Sequence, residues 1–337
     1  MALGAAAPLM LHGLTPQHIE PKLEKIKPKR LQAGDLIGLI TPGSFIPDAA
    51  LEKAVKNLET LGFRTALAPN IRAKMGYVAG TDQQRLDDLH GMFANPEIKA
   101  VWCARGGYGC TRLLPRINFN LIRQNPKVFI GYSDITALLN AVWQKTGLVG
   151  FHGPVASSTF TPYTIEHLLA VLVEAQSPHE IPLAIDYADS TDPLFQYQTL
   201  QPGKVQGTLA GGNLTLLSAM AGTEFAFNAT GKLVFMEDID EKPYRVDRML
   251  TQLQQSAHLD KALGFALGIF SGCTADAGDE SLTLSETVSQ QLVGSGAPAV
   301  YGLSFGHVQH QCTLPVGIQA QLDTQAKTIT LLERAVL

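Results

Sequence analysis

The stretch KVFIGYSDITALLNAVWQKTGLVGFHGP, Lys127 to Pro154, decides the fold class. It opens on a short apolar run, Val128 to Ile130, of the length of a buried strand. A turn follows at Gly131-Tyr132-Ser133-Asp134. Then Ile135, Leu138, Leu139 and Val142 fall at helical spacing, giving a helix with one apolar face that stops at Gly147. A second apolar run, LVGF, is closed by His152, Gly153 and Pro154. Strand, helix and strand in so short a span describe a crossover between parallel strands.

The alternation extends outward. Upstream, LIGLITP reads as a strand closed by Pro42 and Gly43. Asp48 to Leu61 reads as a helix with Leu51, Val55, Leu58 and Leu61 in line and Gly62 as its stop. FRTALAP is a second strand, and TDQQRLDDLHGMFANP a helix capped by Thr81 or Asp82 and ended before Pro96. IKAVWCA is a strand, RGGYGC a turn, and TRLLPRIN the start of a helical or irregular segment. The pattern predicts an N-terminal α/β domain over residues 31–180, with a parallel sheet covered on both faces. Residues 181–204, rich in Pro, Asp, Thr and Gln, read as a linker. Residues 205–337 read as a C-terminal mixed α+β domain with a β-rich core. KLVFM, ALGFALGIF and PAVYGLSFGH are its strands, and YRVDRMLTQLQQSA is a helix buried through Val246, Met249, Leu250 and Leu253. IQAQLDTQAKTITLLE is a hairpin turning near Asp323 to Lys327.

A chain of 337 residues, 45% hydrophobic and 17% charged, has room for two folded domains without staples. Its net charge of -4 gives no basic footprint for nucleic acid, so small or peptidic partners are expected. Cys103, Cys110, Cys273 and Cys312 form no CxxC pair and read as reduced, buried thiols rather than zinc ligands. No apolar run is long enough for a membrane span. The opening MALGAAAPLMLHGL, within a lead-in of residues 1–30, looks like the apolar part of a secretory signal without its basic start. As a signal remnant it would mean export; the expectation is a cytoplasmic protein.

Four segments, each at a strand end, could carry chemistry. In Gly131-Tyr132-Ser133-Asp134 a serine sits on a strand-to-helix turn, where the helix N-terminus presents N–H groups to an oxyanion. Ile135 replaces the second glycine of GxSxG, and by itself the motif equally describes a helix N-cap. Arg105-Gly106-Gly107-Tyr108-Gly109 offers close backbone approach, with the Gly107 N–H as a second oxyanion donor; a plain tight turn is the alternative. In Glu237-Asp238-Ile239-Asp240-Glu241 the first carboxylate leaves an apolar strand directly, so it is the one placed to be buried and paired with an imidazole. A solvated acidic turn would look similar. Phe305-Gly306-His307-Val308-Gln309-His310 holds two histidines without a third metal ligand at zincin spacing, and a structural histidine is the alternative. His152 is a further candidate.

Together ARGGYGCTRLLP, GYSDITALLNA, FHGPV, GGNLTLL, EDIDEKPYRVDRMLTQL and GLSFGH followed by TLPVG resemble the LD-carboxypeptidase family of serine peptidases, which includes the microcin C immunity peptidases. The resemblance runs from about Leu31 to Glu333 in the family's order. It implies an α/β domain joined to a mixed β domain with the active site between them. It implies a catalytic triad of Ser133, Glu237 and His307, with the backbone amides of Asp134 and Gly107 as the oxyanion hole. It further implies a murein tetrapeptide substrate, cut before its terminal D-Ala to leave a tripeptide, and a homodimer. Neither metal nor organic cofactor is expected. Arg105 is the candidate for the substrate carboxylate, with a structural salt bridge as its alternative, and Tyr132 is a second candidate substrate contact. Two rival readings share the scaffold: a microcin-immunity-type peptidase acting on a peptidyl nucleotide or another amide, and a non-catalytic peptide-binding protein.

Overall fold

The computed structural model describes residues 24–188 and 190–337. In the first half, strands and helices alternate as the apolar spacing requires: β1 (Leu36–Ile40), α1 (Asp48–Thr60), β2 (Arg64–Leu67), α2 (Asp82–Ala94), β3 (Ile98–Cys103), α3 (Phe119–Gln124), β4 (Val128–Gly131), α4 (Thr136–Thr146), β5 (Gly150–His152) and α5 (Pro162–Leu172). Local chemistry sets the boundaries. Thr81 and Gln84 close a reciprocal capping box at the start of α2. Gly147, at φ 74°, ends α4 in the left-handed conformation that a side chain would penalise.

The second half runs β6 (His179–Ile181), α6 (Ile185–Ala188), β7 (Gln198–Gln201), β8 (Lys204–Asn213), α7 (Leu214–Ala219), β9 (Lys232–Glu237), α8 (Pro243–Ser256), β10 (Gly264–Ile269), α9 (Leu284–Leu292), β11 (Ala299–Gly306), β12 (Leu314–Val316), β13 (Gln319–Asp323) and β14 (Thr328–Leu331). The closing hairpin, β13 with β14, turns where the polar residues predict.

Two sheets organise these elements. One has the order β12-β5-β4-β3-β1-β2, with β1 to β5 parallel and β12 antiparallel at the edge. Its order reverses between β1 and β3, so the loops after these strands part and leave a crevice at their carboxyl ends. The other has the order β6-β14-β13-β8-β9-β10-β11-β7. Its four central strands, β8 to β11, are parallel, so Asn213, Glu237, Ile269 and Gly306 all emerge along one edge. These two carboxyl edges meet.

The junction is tight because glycine lines it. Asn140 on α4 donates to the Gly211 carbonyl at 3.0 Å, and the Asn213 N–H donates to Thr136 Oγ1 at 2.9 Å. A Cβ on Gly211 would lie 1.8 Å from the Phe235 carbonyl oxygen, and one on Gly212 would lie 2.5 Å from the Thr136 side chain. The helix that starts just after Ser133 is thereby fastened to the strand beside Glu237.

The chain passes from the first sheet to the second between β5 and β6, ahead of the stretch read as a linker, and it revisits the first sheet once more as β12. The stretch 181–204 is not a bare tether. It carries α6 and β7, and β7 pairs antiparallel with β11. This edge strand is only partly buried and has no continuous apolar run, so periodicity misses it. Near the other end, β12 leaves the second sheet and pairs with β5, with Leu314 opposite His152 and Val316 opposite Gly150. Leu31 is in the core, and Ile26 bridges Leu148, so the described part of the lead-in is built into the first domain. The apolar opening read as a signal remnant lies outside the described residues. Among the described residues, no helix is long and apolar enough to cross a membrane, and all four cysteines are free and buried.

Candidate active site

Ser133 follows β4 on a turn so sharp that its own φ is +64°. A non-glycine residue in this region carries strain of about 1–3 kcal/mol, held in place by its surroundings. One consequence is visible at the helix. Neither the turn nor α4 has a side-chain cap, so the Ser133 hydroxyl is not engaged as an N-cap. It faces His307 instead, whose Nε2 lies 2.9 Å from Ser133 Oγ. The other ring nitrogen, Nδ1, donates to Glu237 Oε2 at 2.7 Å. With the proton on Nδ1, Nε2 is the acceptor for the serine hydroxyl.

Each partner is fixed by its strand. Glu237 ends β9 and is fully buried. Gly306, at φ 118°, lies so close that a Cβ there would come 3.1 Å from Glu237 Cβ, so only glycine lets β11 deliver His307 beside the carboxylate. Burial pushes the Glu237 pKa up, but His307, His152 and Asn213 outweigh it and hold the carboxyl below its ordinary value. Burial likewise pulls His307 down, but Glu237, with Asp238 and Asp240 behind it, keeps the imidazole above its ordinary value of 6.5. The remainder of the acidic segment divides by burial. Asp238 is buried and accepts from Asn213 Nδ2, Thr215 N–H and Thr215 Oγ1, each at 2.9 Å, while burial and the Glu237 charge push its pKa up to about 6.

The glycine loop after β3 packs directly on the serine turn. A Cβ on Gly106 would sit 3.2 Å from Ser133 Cβ, and one on Gly107 would sit 2.4 Å from Ser44 Oγ. The Gly106 carbonyl accepts from Ser44 N–H at 3.0 Å, joining the β1 and β3 loops across the crevice. Asp134 turns its buried carboxylate inward, where it accepts the Cys110 N–H at 2.9 Å and ties the glycine loop down. Its own N–H opens a helical turn and so has no intrahelical acceptor. Arg85, buried below, donates to the carbonyls of Pro42 (2.6 Å) and Gly109 (3.0 Å) and braces the same loops.

Arg105 is half-buried and donates to the Phe45 carbonyl at 2.9 Å, and the ion pairs of the described residues do not include it. Tyr132 lays its ring against His307, with centroids 4.9 Å apart. His310 stands apart from the Ser133–His307–Glu237 chain. Its ring meets Asp186 (2.7 Å) and Thr161 (3.0 Å), and its N–H donates to Tyr187, so it anchors the loop after His307 to α6 and the start of α5. Among the described residues, no group of three or more His, Cys, Asp or Glu side chains is gathered as a metal site would need.

Asn213, Asp238 and Thr136, which lock the serine helix to the Glu237 strand, lie inside segments that the sequence singled out, but sequence reasoning gave them no role. The clearest local signal for this lock is the Gly-Gly-Asn at the end of β8.

Residues 37–153 match the LD-carboxypeptidase N-terminal domain, and residues 206–322 match the LD-carboxypeptidase C-terminal domain. The chain is 41% identical over 305 residues to the probable murein peptide carboxypeptidase of Bacillus subtilis (strain 168), covering 90% of this chain and 94% of that protein. The chain belongs to the LD-carboxypeptidase family. Two solved structures agree with this. The muramoyltetrapeptide carboxypeptidase from Oxalobacter formigenes aligns with a TM-score of 0.75 at 34% identity, over 88% of this chain and 97% of that one. The microcin C7 self-immunity protein MccF, in its apo state, aligns with a TM-score of 0.84 at 26% identity, over 93% of this chain and all of that one. The LD-carboxypeptidase N-terminal match contains Ser133, and the C-terminal match contains Glu237 and His307, so the relay is assembled only where the two family domains meet.

Proposed function

We propose that this protein is an L,D-carboxypeptidase that hydrolyses the bond before the C-terminal D-Ala of murein tetrapeptides, through an acyl-enzyme on Ser133. The observation that carries the reading is the unbroken hydrogen-bonded chain from Ser133 Oγ through His307 to buried Glu237, in a member of this family.

A neutral serine is a poor nucleophile, so His307 Nε2 takes its proton as Oγ attacks the scissile carbonyl. Glu237 holds the ring in the Nδ1–H tautomer and stabilises the imidazolium that forms. The N–H groups of Asp134 and Gly107 receive the oxyanion. His307 then protonates the leaving D-Ala amine, and water, activated by the same imidazole, releases the tripeptide. Arg105 is the proposed partner of the substrate carboxylate, and Tyr132 forms the wall beside the imidazole. The family resemblance also supports a homodimer, and the four free, buried cysteines fit a cytoplasmic one.

Mass spectrometry of products from tri-, tetra- and pentapeptide muropeptides tests the specificity. The tetrapeptide is expected to lose one D-Ala while the tripeptide stays intact; cleavage elsewhere, or none, overturns the reading. MccF-like architecture favours one rival, since a solved MccF structure holds glutamyl sulfamoyl guanosine. A sulfamoyl-nucleotide amide belongs in the same assay, and faster turnover of it than of the tetrapeptide would select that rival.

The pH dependence follows from His307. The base must be neutral, and its pKa stands above 6.5, so kcat/KM is expected to fall as pH drops through a value higher than that of an ordinary imidazole. An acid limb below 6.5 would contradict the electrostatics described above.

A further inference from the structure

Five buried side-chain polar atoms have no hydrogen-bond partner among the described residues: Arg85 Nε, both ring nitrogens of His152, Glu237 Oε1 and Thr313 Oγ1. Such groups are rare in folded proteins, and each calls for an explanation. Three of the five belong to His152 and Glu237, which the fold brings together behind the Ser133–His307–Glu237 relay.

His152 ends β5 opposite Leu314 on β12, whereas Thr313 faces Gly153 on the other side of the strand, its Oγ1 2.9 Å from where a Cβ on Gly153 would lie, and so takes no part here. Phe235 stands two residues before Glu237 on the same face of β9, and Phe305 stands near the end of β11, two residues before His307. The His152 ring packs edge-on against both, with centroids 5.2 and 6.3 Å away, and Tyr132 covers it at 6.1 Å. The charged and titratable groups that His152 feels are Glu237 and His307. Burial holds its own pKa down to about 4, so at neutral pH the ring is uncharged and carries one N–H.

An imidazole that only filled space between two phenylalanines would be served better by another phenylalanine, because unpaired buried polar atoms are costly. We propose that His152 and Glu237 Oε1 share one ordered water, which accepts the His152 N–H and donates to the second oxygen of the Glu237 carboxylate. Two buried polar groups, one donating and one accepting, are within the range a buried water requires. His152 is then a positioning residue. It steadies Glu237 from the side opposite His307 and tempers the pull of the carboxylate on the imidazole proton.

The proposal rests on the triad reading, and two measurements separate their failures. A crystal structure of the unmodified protein, at a resolution that shows ordered water, is expected to place one within hydrogen-bond distance of both a His152 nitrogen and Glu237 Oε1. A dry site overturns the proposal whatever the activity of a Ser133 variant. In kinetics, His152→Phe keeps the ring and removes the donor. Expected are a loss of about tenfold in kcat, small beside the cost of misplacing reacting groups, an unchanged KM, and an acid limb moved to higher pH. His152→Gln, which can still donate, is expected to recover most of the loss. Wild-type kcat and limb in His152→Phe, or a fall in kcat with an unmoved limb, overturn the assignment; if His152→Phe does not fold, the wild-type map and His152→Gln decide.

Discussion

Replacing Ser133 with alanine is expected to slow D-Ala release from a murein tetrapeptide by at least about 10⁴-fold while leaving KM within a fewfold. The change removes the only atom that accepts the new acyl bond, and it leaves the rest of the site in place. The backbone at this position is set by the β4–α4 turn and by Gly106 packed against Ser133 Cβ, which alanine retains. Residual turnover would come from binding and from the oxyanion donors. The matching chemical experiment is labelling with a fluorophosphonate, expected at Ser133 in the wild-type protein and lost in Ser133→Ala. It should also be lost in His307→Ala, since the hydroxyl then has no base. A Ser133→Ala protein with full activity would remove the serine mechanism altogether, and with it the acyl-enzyme.

The second large effect is expected from Glu237→Gln, a near-isosteric change that should lower kcat by about 10⁴-fold. The carboxylate accepts the Nδ1–H of His307 at 2.7 Å and so leaves Nε2 bare for the serine. A carboxamide that turns its NH₂ toward Nδ1 selects the opposite tautomer, with a proton on Nε2 where a base is needed. The pH profile should move as well, and its sign is set by the two opposing influences on His307. Burial lowers its pKa and Glu237 raises it; without the charge, burial prevails and the acid limb moves below its wild-type position. A Glu237→Gln protein with a lower rate and an unmoved limb would mean that the carboxylate acts through shape alone.

Much of this molecule is legible in its residues. Alternating apolar runs give the first sheet, because β1, β3 and β4 are buried almost throughout and so read as short continuous apolar strings. The relay is different. Ser133 and His307 lie 174 positions apart, and no periodicity connects them. Locally, Ser133 reads as well for a cap as for a nucleophile; the order of several motifs along the chain is what separates the two. Gly306 and Gly211 are visible as glycines, but the reason for each lies in a neighbouring strand. The same holds for β7 and β12, whose pairing depends on distant partners, and for Asp134, whose carboxylate supports a loop 24 residues before it. His152 is conspicuous in FHGP, but its unpaired nitrogens can be recognised only in three dimensions.

The return of the chain as β12 has a mechanical consequence. After His307 the backbone does not stay with the sheet that delivered it but stitches itself onto β5, beside the strand that carries Ser133. The two halves are therefore sewn along the seam that holds the reacting groups. A clamshell motion wide enough to admit a bulky stem peptide would tear that seam and part the imidazole from the hydroxyl. Any opening of that kind must first break the β12–β5 ladder, so the seam couples the spacing of the reacting groups to the pairing of three strands.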